Sequence, residues 1–316
     1  LQRSGVPVPD AISTFQVQHA CAGGTIGLAS VSALLQAGAI GDETGLVVCT
    51  DVARYDTPST AEITQGAGAV AMLVEENPDL LEFDLPAIGV ASHDVDDFFR
   101  PLNSITARVK GRYSVDCYND ALNEAFLNHV ERASSTPTDV ITNTDMFVLH
   151  VPFYKMAVSG MTGLLKRHME YTPDEIDAFL QDRGFCQALE ASRIVGNIYS
   201  GSLYMALMYT LADRFQTFGD KIVGKRFLLA SYGSGNTMMV IPGRVAPKAP
   251  EILRTWDLQA ILDAARETPF DEYSRWVEPR EYSSAYGEVD TTGVASGDYY
   301  LANVREDGYR EYFYQA

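Results

Sequence analysis

Cys21 is the residue of this 316-residue chain whose surroundings most clearly suit chemistry. It stands in FQVQHACAGGTIGLASVSALLQAG (15–38), between a strand-like apolar run and a small-residue run that predicts a buried helix ending near Gly38. The first N–H groups of a helix lack intrahelical partners, so a cysteine beside them is favoured as the nucleophilic thiolate. The glycines after it leave room for a substrate carbonyl to approach backbone donors. This pattern predicts covalent catalysis at Cys21, and a buried structural cysteine stays open as the alternative.

Three further segments carry side chains that suit work on a carbonyl group. His150 ends the apolar run DMFVLHVP, and α/β folds place their sites at the carboxyl ends of strands. Asn197 lies in GNIYSG where a helix is predicted to begin, and SYGSG (231–235) is a glycine-rich turn. Each has a structural alternative: a core histidine bonded to the backbone, a helix N-cap, or a tight hairpin.

The elements that must position these residues alternate between strands and helices. GLVVCTDVA (45–53) and GAGAVAMLVE (66–75) are continuous apolar runs, typical of strands covered on both faces. A long helix is predicted over about 114–132, and TPDEIDAFL opens with a capping box of Thr172 and Glu175. KRFLLASYGSGNTMMVI predicts a strand, a turn and a second strand. This alternation favours a layered α/β fold.

Composition excludes several classes of function. The formal net charge of -18 argues against broad contact with nucleic acid or an anionic membrane. The longest apolar run is too short for a membrane span, and the first residues lack the features of a signal peptide. The four cysteines show neither a disulfide framework nor zinc-site spacing. We therefore expect a soluble cytoplasmic protein without a metal.

Five segments resemble one enzyme family when they are taken together. ACAGG, TQGAGAVAMLV, HVPFYKM, GNIYSGSLY and SYGSG follow the order and intervals found in hydroxymethylglutaryl-CoA synthases of the thiolase superfamily. With GDYYLANVREDGYREYF near the end, the resemblance covers nearly the whole chain. It implies a thiolase-like layered α/β/α/β/α fold with mixed sheets and an incomplete amino-terminal half. Residues 1–110 would be the remainder of that half and residues 111–316 the carboxyl-terminal half with a family-specific tail.

The resemblance also implies an activity. Cys21 would take the acetyl group of acetyl-CoA, which then condenses with acetoacetyl-CoA to give 3-hydroxy-3-methylglutaryl-CoA for the mevalonate pathway. His150 and Asn197 complete the implied catalytic set, with His150 binding and polarising acetoacetyl-CoA. The residues implied to bind substrate or CoA are Thr64, Lys155, Tyr199, Gly233 and Ser234. The resemblance also implies a homodimer, and it implies no cofactor other than the CoA thioesters that serve as substrates. The CoA phosphates would bind at a positively charged site entrance formed by Arg108, Arg112 and Lys155.

Three departures from the family pattern affect the expected activity. Ala22 replaces a residue that is usually aromatic, and Lys110 stands where the family usually has Asp, in VKG instead of VDG. The family's general acid/base glutamate lies upstream, in a segment that this chain does not contain. Because the chain begins with Leu and inside a predicted helix, we expect it to be a fragment. Since general acid/base groups raise reaction rates by ~10²–10⁴-fold, we expect these residues alone to catalyse the condensation poorly.

These departures leave two alternatives open. One is a related synthase that acts on thioesters of an acyl carrier protein, as in polyketide β-branching or ketoacyl synthesis. The other is a non-catalytic homologue that binds an acyl-CoA or a protein partner. A papain-like hydrolase shares the order Cys, His, Asn, but its local cysteine signature is absent here.

Overall fold

The computed structural model describes residues 8, 10–38, 44–104, 106–277, 287–288, 291 and 294–316. The chain divides into a larger unit, Val17–Glu267, and a smaller unit that combines Leu1–Gln16 with Thr268–Ala316. All predicted site residues lie in the larger unit. The division into thiolase-like halves at residue 110 stays a prediction. Within the described ranges, no helix combines the length and the apolar character needed to cross a membrane.

The larger unit alternates helices and strands, as the sequence predicts. Its helices are α1 (Gly23–Gln36), α2 (Gly111–Arg132), α3 (Pro137–Asn143), α4 (Tyr154–Met169), α5 (Pro173–Asp182), α6 (Phe185–Ala188), α7 (Glu190–Val195), α8 (Gly201–Phe218), α9 (Ala249–Leu253) and α10 (Leu258–Asp263). Its strands are β1 (Gly45–Val52), β2 (Ala67–Val74), β3 (Leu81–Phe83), β4 (Gly89–Ser92), β5 (Phe98–Phe99), β6 (Arg108–Val109), β7 (Met146–Leu149), β8 (Arg226–Gly233) and β9 (Thr237–Val245).

A mixed sheet forms the centre of this unit. Its strand order is β3-β9-β8-β7, and β4 pairs with another part of β9. Strand β7 runs parallel to β8, while β8 and β9 form an antiparallel hairpin. Helix α2 packs against β4 and β9, and α8 packs against β7, so β7 and β8 are almost completely buried. The sheet confirms the predicted mixed α/β class.

Local sequence signals set the helix boundaries. At the start of α5, the Thr172 side chain accepts the Glu175 N–H, and the Glu175 carboxylate accepts the Thr172 N–H at 2.8 Å. The predicted capping box is therefore confirmed. Helix α1 ends at Gln36, close to the predicted end near Gly38, and α2 begins three residues before its predicted start.

The prediction that β1 and β2 are covered on both faces is wrong for the described residues. In the part of the chain that the structure describes, the two strands pair only with each other, in an antiparallel ladder whose burial alternates along β1. Helix α1 packs against β1, while Leu46, Val48 and Leu73 on the opposite face are exposed. A continuous apolar run indicates that both faces suit burial, but it does not supply the element that covers the second face.

The smaller unit contains α11 (Phe270–Val277) and a three-stranded antiparallel sheet of β10 (Gly287–Glu288), β11 (Tyr299–Val304) and β12 (Arg310–Tyr314). Tyr299 and Tyr314 are cross-strand partners, and their ring centroids lie 4.9 Å apart. Aromatic cross-strand pairs of this kind stabilise small sheets.

The buried face of α2 gives a direct test of this packing. Phe126 is fully buried and lies 5.4 Å from the His168 ring, whereas its neighbour Leu127 is 40% exposed. We expect Phe126→Ala to lower the free energy of unfolding by about 3–5 kcal/mol through loss of buried area and creation of a cavity. Leu127→Ala, the matched control, should change it by less than about 1 kcal/mol. Urea unfolding followed by circular dichroism measures both, and equal effects would contradict the packing described here.

Candidate active site

Cys21 lies in a loop that enters α1, and its side chain is buried. The strand expected directly before it is wrong, because residues 11–22 form no strand beyond an isolated bridge. The preceding residue, Ala20, has a φ of 42°, in the left-handed region that costs an L-residue about 1–2 kcal/mol. Surrounding contacts hold this conformation: Ala22 N–H donates to His19 O at 3.0 Å, and His19 Nε2 lies 2.7 Å from Thr237 Oγ1. The loop is therefore fixed from β9 as well as from its own backbone.

The predicted glycine-rich turn packs directly on this loop. A Cβ atom at Gly233 would lie 2.6 Å from Ala22 N and 2.8 Å from His19 O, closer than nonbonded atoms approach. Only glycine permits this contact, which brings the turn carrying Gly233 and Ser234 beside Cys21. The segment around Cys21 and the SYGSG turn, which the sequence analysis identifies separately, thus pack directly against each other.

A buried carboxylate holds the far side of the turn. Asp97 is fully buried and accepts hydrogen bonds from Gly235 N–H at 3.1 Å, Tyr232 Oη at 2.8 Å and Ser114 Oγ at 3.0 Å. These donors come from the turn, from β8 and from α2. Asp97 therefore joins three elements at the position where the turn meets the loop that carries Cys21.

Aromatic side chains surround the cysteine. Cys21, Ala53, Tyr55, Ala107 and Tyr199 form a small apolar cluster separate from the main core. Phe98 packs on this cluster, with its ring 5.9 Å from that of Tyr55 and 6.3 Å from that of Tyr199. These side chains exclude water from the sulfur of Cys21.

Asn197 positions two of these aromatic residues, Tyr55 and Tyr199. Its Nδ2 donates to Tyr55 Oη at 3.0 Å, and its Oδ1 accepts from Tyr199 N–H at 2.9 Å and from Ser202 Oγ at 3.1 Å. The hydrogen bond to Tyr199 N–H stabilises the left-handed backbone conformation of Tyr199, whose φ is 50°. Because Ser200 occupies the N-cap position of α8, the N-cap alternative for Asn197 is wrong. A catalytic role for Asn197 stays a prediction.

The segment around Thr64 meets the segment around Asn197. Thr64 O accepts Asn197 N–H at 2.8 Å, while the Thr64 hydroxyl donates to Ala61 O at 2.7 Å. A Cβ at Gly66 would lie 2.4 Å from Val195 O, so glycine is required for this contact. Thr64 therefore contributes to the site through its backbone, and its side chain also interacts with the Tyr55 phenol.

His150 extends β7 and is 1% exposed. Its N–H donates to Ala230 O at 2.8 Å, and its carbonyl accepts from Tyr118 Oη at 3.0 Å. Both ring nitrogens lack a hydrogen-bond partner in the described part of the chain, so the alternative of a core histidine bonded to the backbone is wrong. Burial lowers the pKa of His150 to about 3, which keeps the imidazole neutral at pH 7.

The thiol of Cys21 experiences two opposing influences. Burial raises its pKa, and the nearby carboxylates of Asp51 and Asp97 raise it further. A helix N-terminus favours the thiolate by about 0.3–1 kcal/mol, whereas full burial shifts a pKa by up to about 3–5 units, or about 4–7 kcal/mol. Burial is the larger effect, so the resting group is a thiol that must lose its proton as it reacts.

The basic residues lie at the surface. Lys155 is exposed in the first turn of α4, and none of the described contacts joins it to the Cys21 loop. The Lys110 amine contacts the Asp96 carboxylate, and Arg108 Nε lies 3.8 Å from a carboxylate oxygen of Asp56. The reversed charge at Lys110 is thus balanced by a carboxylate beside it. A CoA-binding role for Lys155 stays a prediction.

Two residues at the site were not identified from the sequence. Asp97 stands in HDVDDFF, where nothing distinguishes it from Asp94 and Asp96. Tyr55 is visible only as one of 17 tyrosines, two residues beyond the predicted strand GLVVCTDVA (45–53). Among the residues described, no cluster of three His, Cys, Asp or Glu side chains is arranged to hold a metal ion.

Comparison with protein families gives two matches. The model described as "Hydroxymethylglutaryl-coenzyme A synthase N terminal" matches residues 7–79, and the model described as "Hydroxymethylglutaryl-coenzyme A synthase C terminal" matches residues 83–181 and 163–315. The hydroxymethylglutaryl-CoA synthase of Enterococcus faecalis is 31% identical over 262 residues, which cover 82% of this chain and 64% of that protein. The chain thus spans less than two thirds of that relative.

Solved structures show the same similarity. MvaS in complex with 3-hydroxy-3-methylglutaryl coenzyme A has a TM-score of 0.85 and 32% identity, over 99% of this chain and 77% of that one. The curacin biosynthetic pathway HMG synthase in complex with holo donor-ACP has a TM-score of 0.87 and 25% identity, over 97% and 76% of the two chains. The predicted fold class is confirmed.

The influence of the carboxylates on Cys21 is testable through its alkylation rate. Because Asp51 raises the pKa of Cys21, Asp51→Asn should lower that pKa and increase the thiolate fraction at pH 8. Iodoacetamide should then alkylate Cys21 severalfold faster than in the unmodified protein, as measured by mass spectrometry of the Cys21 peptide. Asp56→Asn, at a carboxylate paired with Arg108, is the control and should have little effect. An unchanged or slower rate in Asp51→Asn would contradict this account of the thiol.

Proposed function

The chain belongs to the hydroxymethylglutaryl-coenzyme A synthase family, and from this premise we propose that it condenses acetyl-CoA with acetoacetyl-CoA through an acetyl-Cys21 intermediate. One observation carries the proposal: Cys21 is buried within an aromatic cluster, in the loop against which the Gly233 turn packs. This is a site shaped for a small acyl group on sulfur. Since the chain spans 64% of the Enterococcus relative, the proposed activity is that of the whole protein.

In the first step, the Cys21 sulfur attacks the thioester carbonyl of acetyl-CoA. A bond forms between this sulfur and the acetyl carbon as the bond to the CoA sulfur breaks, and the thiol proton leaves with CoA as its free thiol. Developing negative charge on the carbonyl oxygen needs donors already in place. The backbone of the turn around Ser234, held by Asp97, is the group that we assign to this role.

In the second step, the acetyl methyl loses a proton to a general base, and the carbanion adds to the ketone carbon of acetoacetyl-CoA. The resulting alkoxide takes a proton, and water hydrolyses the thioester to release 3-hydroxy-3-methylglutaryl-CoA and the Cys21 thiol. A neutral His150 is suited to this step because its N–H donates to the ketone oxygen without placing a buried charge beside it. Its unpartnered ring nitrogens support this assignment.

The setting of the enzyme is part of the same proposal. We place the product in the mevalonate pathway, the protein in the cytoplasm and its working form as a homodimer. CoA phosphates would bind near the exposed Arg112 and Lys155, whose side chains have no ion pair among the described residues.

A second candidate is a synthase that takes acyl groups from a carrier protein. The curacin pathway enzyme, which resembles this chain, was solved in complex with a donor-ACP. Lys110 also supplies a positive charge that could attract an acidic carrier protein. Asp96 already pairs with Lys110, and the net charge of -18 repels an acidic partner, so CoA is the carrier that we favour. Competition between acetyl-CoA and an acetylated carrier protein separates the two: preferred transfer from the carrier would select the second candidate.

Acetylation of Cys21 tests the first step. With radiolabelled acetyl-CoA, the protein should acquire label that survives acid quenching and maps to the Cys21 peptide. Cys21→Ala should abolish this label, because no other sulfur lies in the cluster, whereas Cys117→Ala, at a buried cysteine of α2, should retain it. The same amount of label in Cys21→Ala would end the proposal, and no label in any form would favour the non-catalytic homologue.

A further inference from the structure

Ser231 has a buried hydroxyl group whose hydrogen bonds are unmade. Its side chain is 1% exposed, and its Oγ lacks a hydrogen-bond partner in the described residues, as do both ring nitrogens of His150. Leaving a buried polar atom unpaired costs about 1–3 kcal/mol, and folded proteins leave few such atoms. Unpaired atoms on neighbouring residues therefore indicate a shared polar role that a ligand completes.

The strand register makes the two residues neighbours. In the parallel ladder of β7 and β8, Leu149 is opposite Ala230, and the His150 N–H continues the ladder by bonding to Ala230 O at 2.8 Å. The next pair in this register is His150 with Ser231. Adjacent strands lie about 4.7–4.9 Å apart and paired residues share a face, so the hydroxyl and the imidazole project to the same side.

That side is the one occupied by Cys21. Side chains alternate along β8, so Ser231 faces the same way as Gly233, whose missing Cβ would meet Ala22 N at 2.6 Å. Tyr232, between them, faces the opposite way and bonds to Asp97. The imidazole and the hydroxyl therefore lie on the face of the sheet that supports the loop carrying Cys21.

We propose that Ser231 is a positioning residue that sets the tautomer of His150 when a ketone occupies the site. A neutral imidazole has one N–H and one bare nitrogen. If the N–H donates to the ketone oxygen of the acceptor substrate, the other ring nitrogen must accept a hydrogen bond. The Ser231 hydroxyl is the neighbouring group able to donate it, directly or through one buried water. This inference rests on the proposed function, because it assumes that His150 holds the ketone of acetoacetyl-CoA.

Ser231→Ala tests the inference, with Ser192→Ala as the matched control. Ser192 also has a buried hydroxyl without a partner in the described structure, but it lies on α7. In protein labelled with ¹⁵N in the histidine rings, the His150 signal is assigned by its loss in His150→Gln, and its ¹⁵N shifts report the tautomer. The dissociation constant for acetoacetyl-CoA and the rate of Cys21 acetylation complete the measurements.

With acetoacetyl-CoA bound, the unmodified protein and Ser192→Ala should show a single neutral tautomer of His150. Ser231→Ala should show a mixture of tautomers and bind acetoacetyl-CoA about fivefold more weakly, the loss of one hydrogen bond, while Cys21 acetylation changes less than about twofold. If the Ser231 hydroxyl had no role at His150, its removal would leave the tautomer unchanged. The fold should persist in either case, since removing an unpartnered buried polar group costs little stability.

Two results would overturn the inference in distinguishable ways. A single tautomer and unchanged affinity in Ser231→Ala, with normal Cys21 acetylation in the unmodified protein, would refute the role of Ser231 alone. If the unmodified protein neither acetylates Cys21 nor binds acetoacetyl-CoA, the proposed function fails and the inference fails with it.

Discussion

The close contact between the backbone of Gly233 and the loop that carries Cys21 is the constraint on which the candidate site depends. A methyl group at Gly233 would overlap Ala22 N and His19 O, so the turn and the loop occupy fixed positions relative to each other. Asp97 also fixes this glycine-rich turn, because its carboxylate joins the turn to β8 and α2. The backbone of a segment 212 residues beyond Cys21 in the sequence (233 minus 21) is thereby held against the loop that carries Cys21. Preorganisation of this kind is what stabilisation of an oxyanion requires.

Burial determines the ionisation of the reacting groups. It raises the pKa of Cys21 and lowers that of His150, so both groups are neutral at rest. A neutral thiol is a weak nucleophile, and its proton must move during acyl transfer. The same burial excludes water, which protects a thioester on Cys21 from premature hydrolysis and strengthens each hydrogen bond to a reacting carbonyl. The aromatic cluster of Tyr55 and Tyr199 would therefore slow activation of the sulfur while preserving the acyl intermediate that we propose on it.

The local features of the fold were predictable from the sequence, but the contacts between distant segments were not. The capping box of α5, the helix after Cys21 and the hairpin around SYGSG follow from residue types within a few positions. By contrast, the bond from Asn197 to Tyr55 joins residues 142 positions apart, and nothing near either one indicates the other. Asp97 became recognisable only from its three donors. The exposed face of β1 and β2 was predicted wrongly because apolar sequence indicates a capacity for burial, whereas tertiary packing decides which face is covered.

We propose above all that Cys21 receives an acyl group in the loop on which the Gly233 turn packs. A crystal structure of the protein after exposure to acetyl-CoA tests this claim most directly. We expect electron density for an acetyl group bonded to Cys21 Sγ, with the carbonyl oxygen directed at the backbone N–H groups near Ser234 and the methyl group facing the ring of Tyr55 or Tyr199. Clear density for an unmodified Cys21 thiol, with CoA or acetyl-CoA bound away from this cluster, would contradict it.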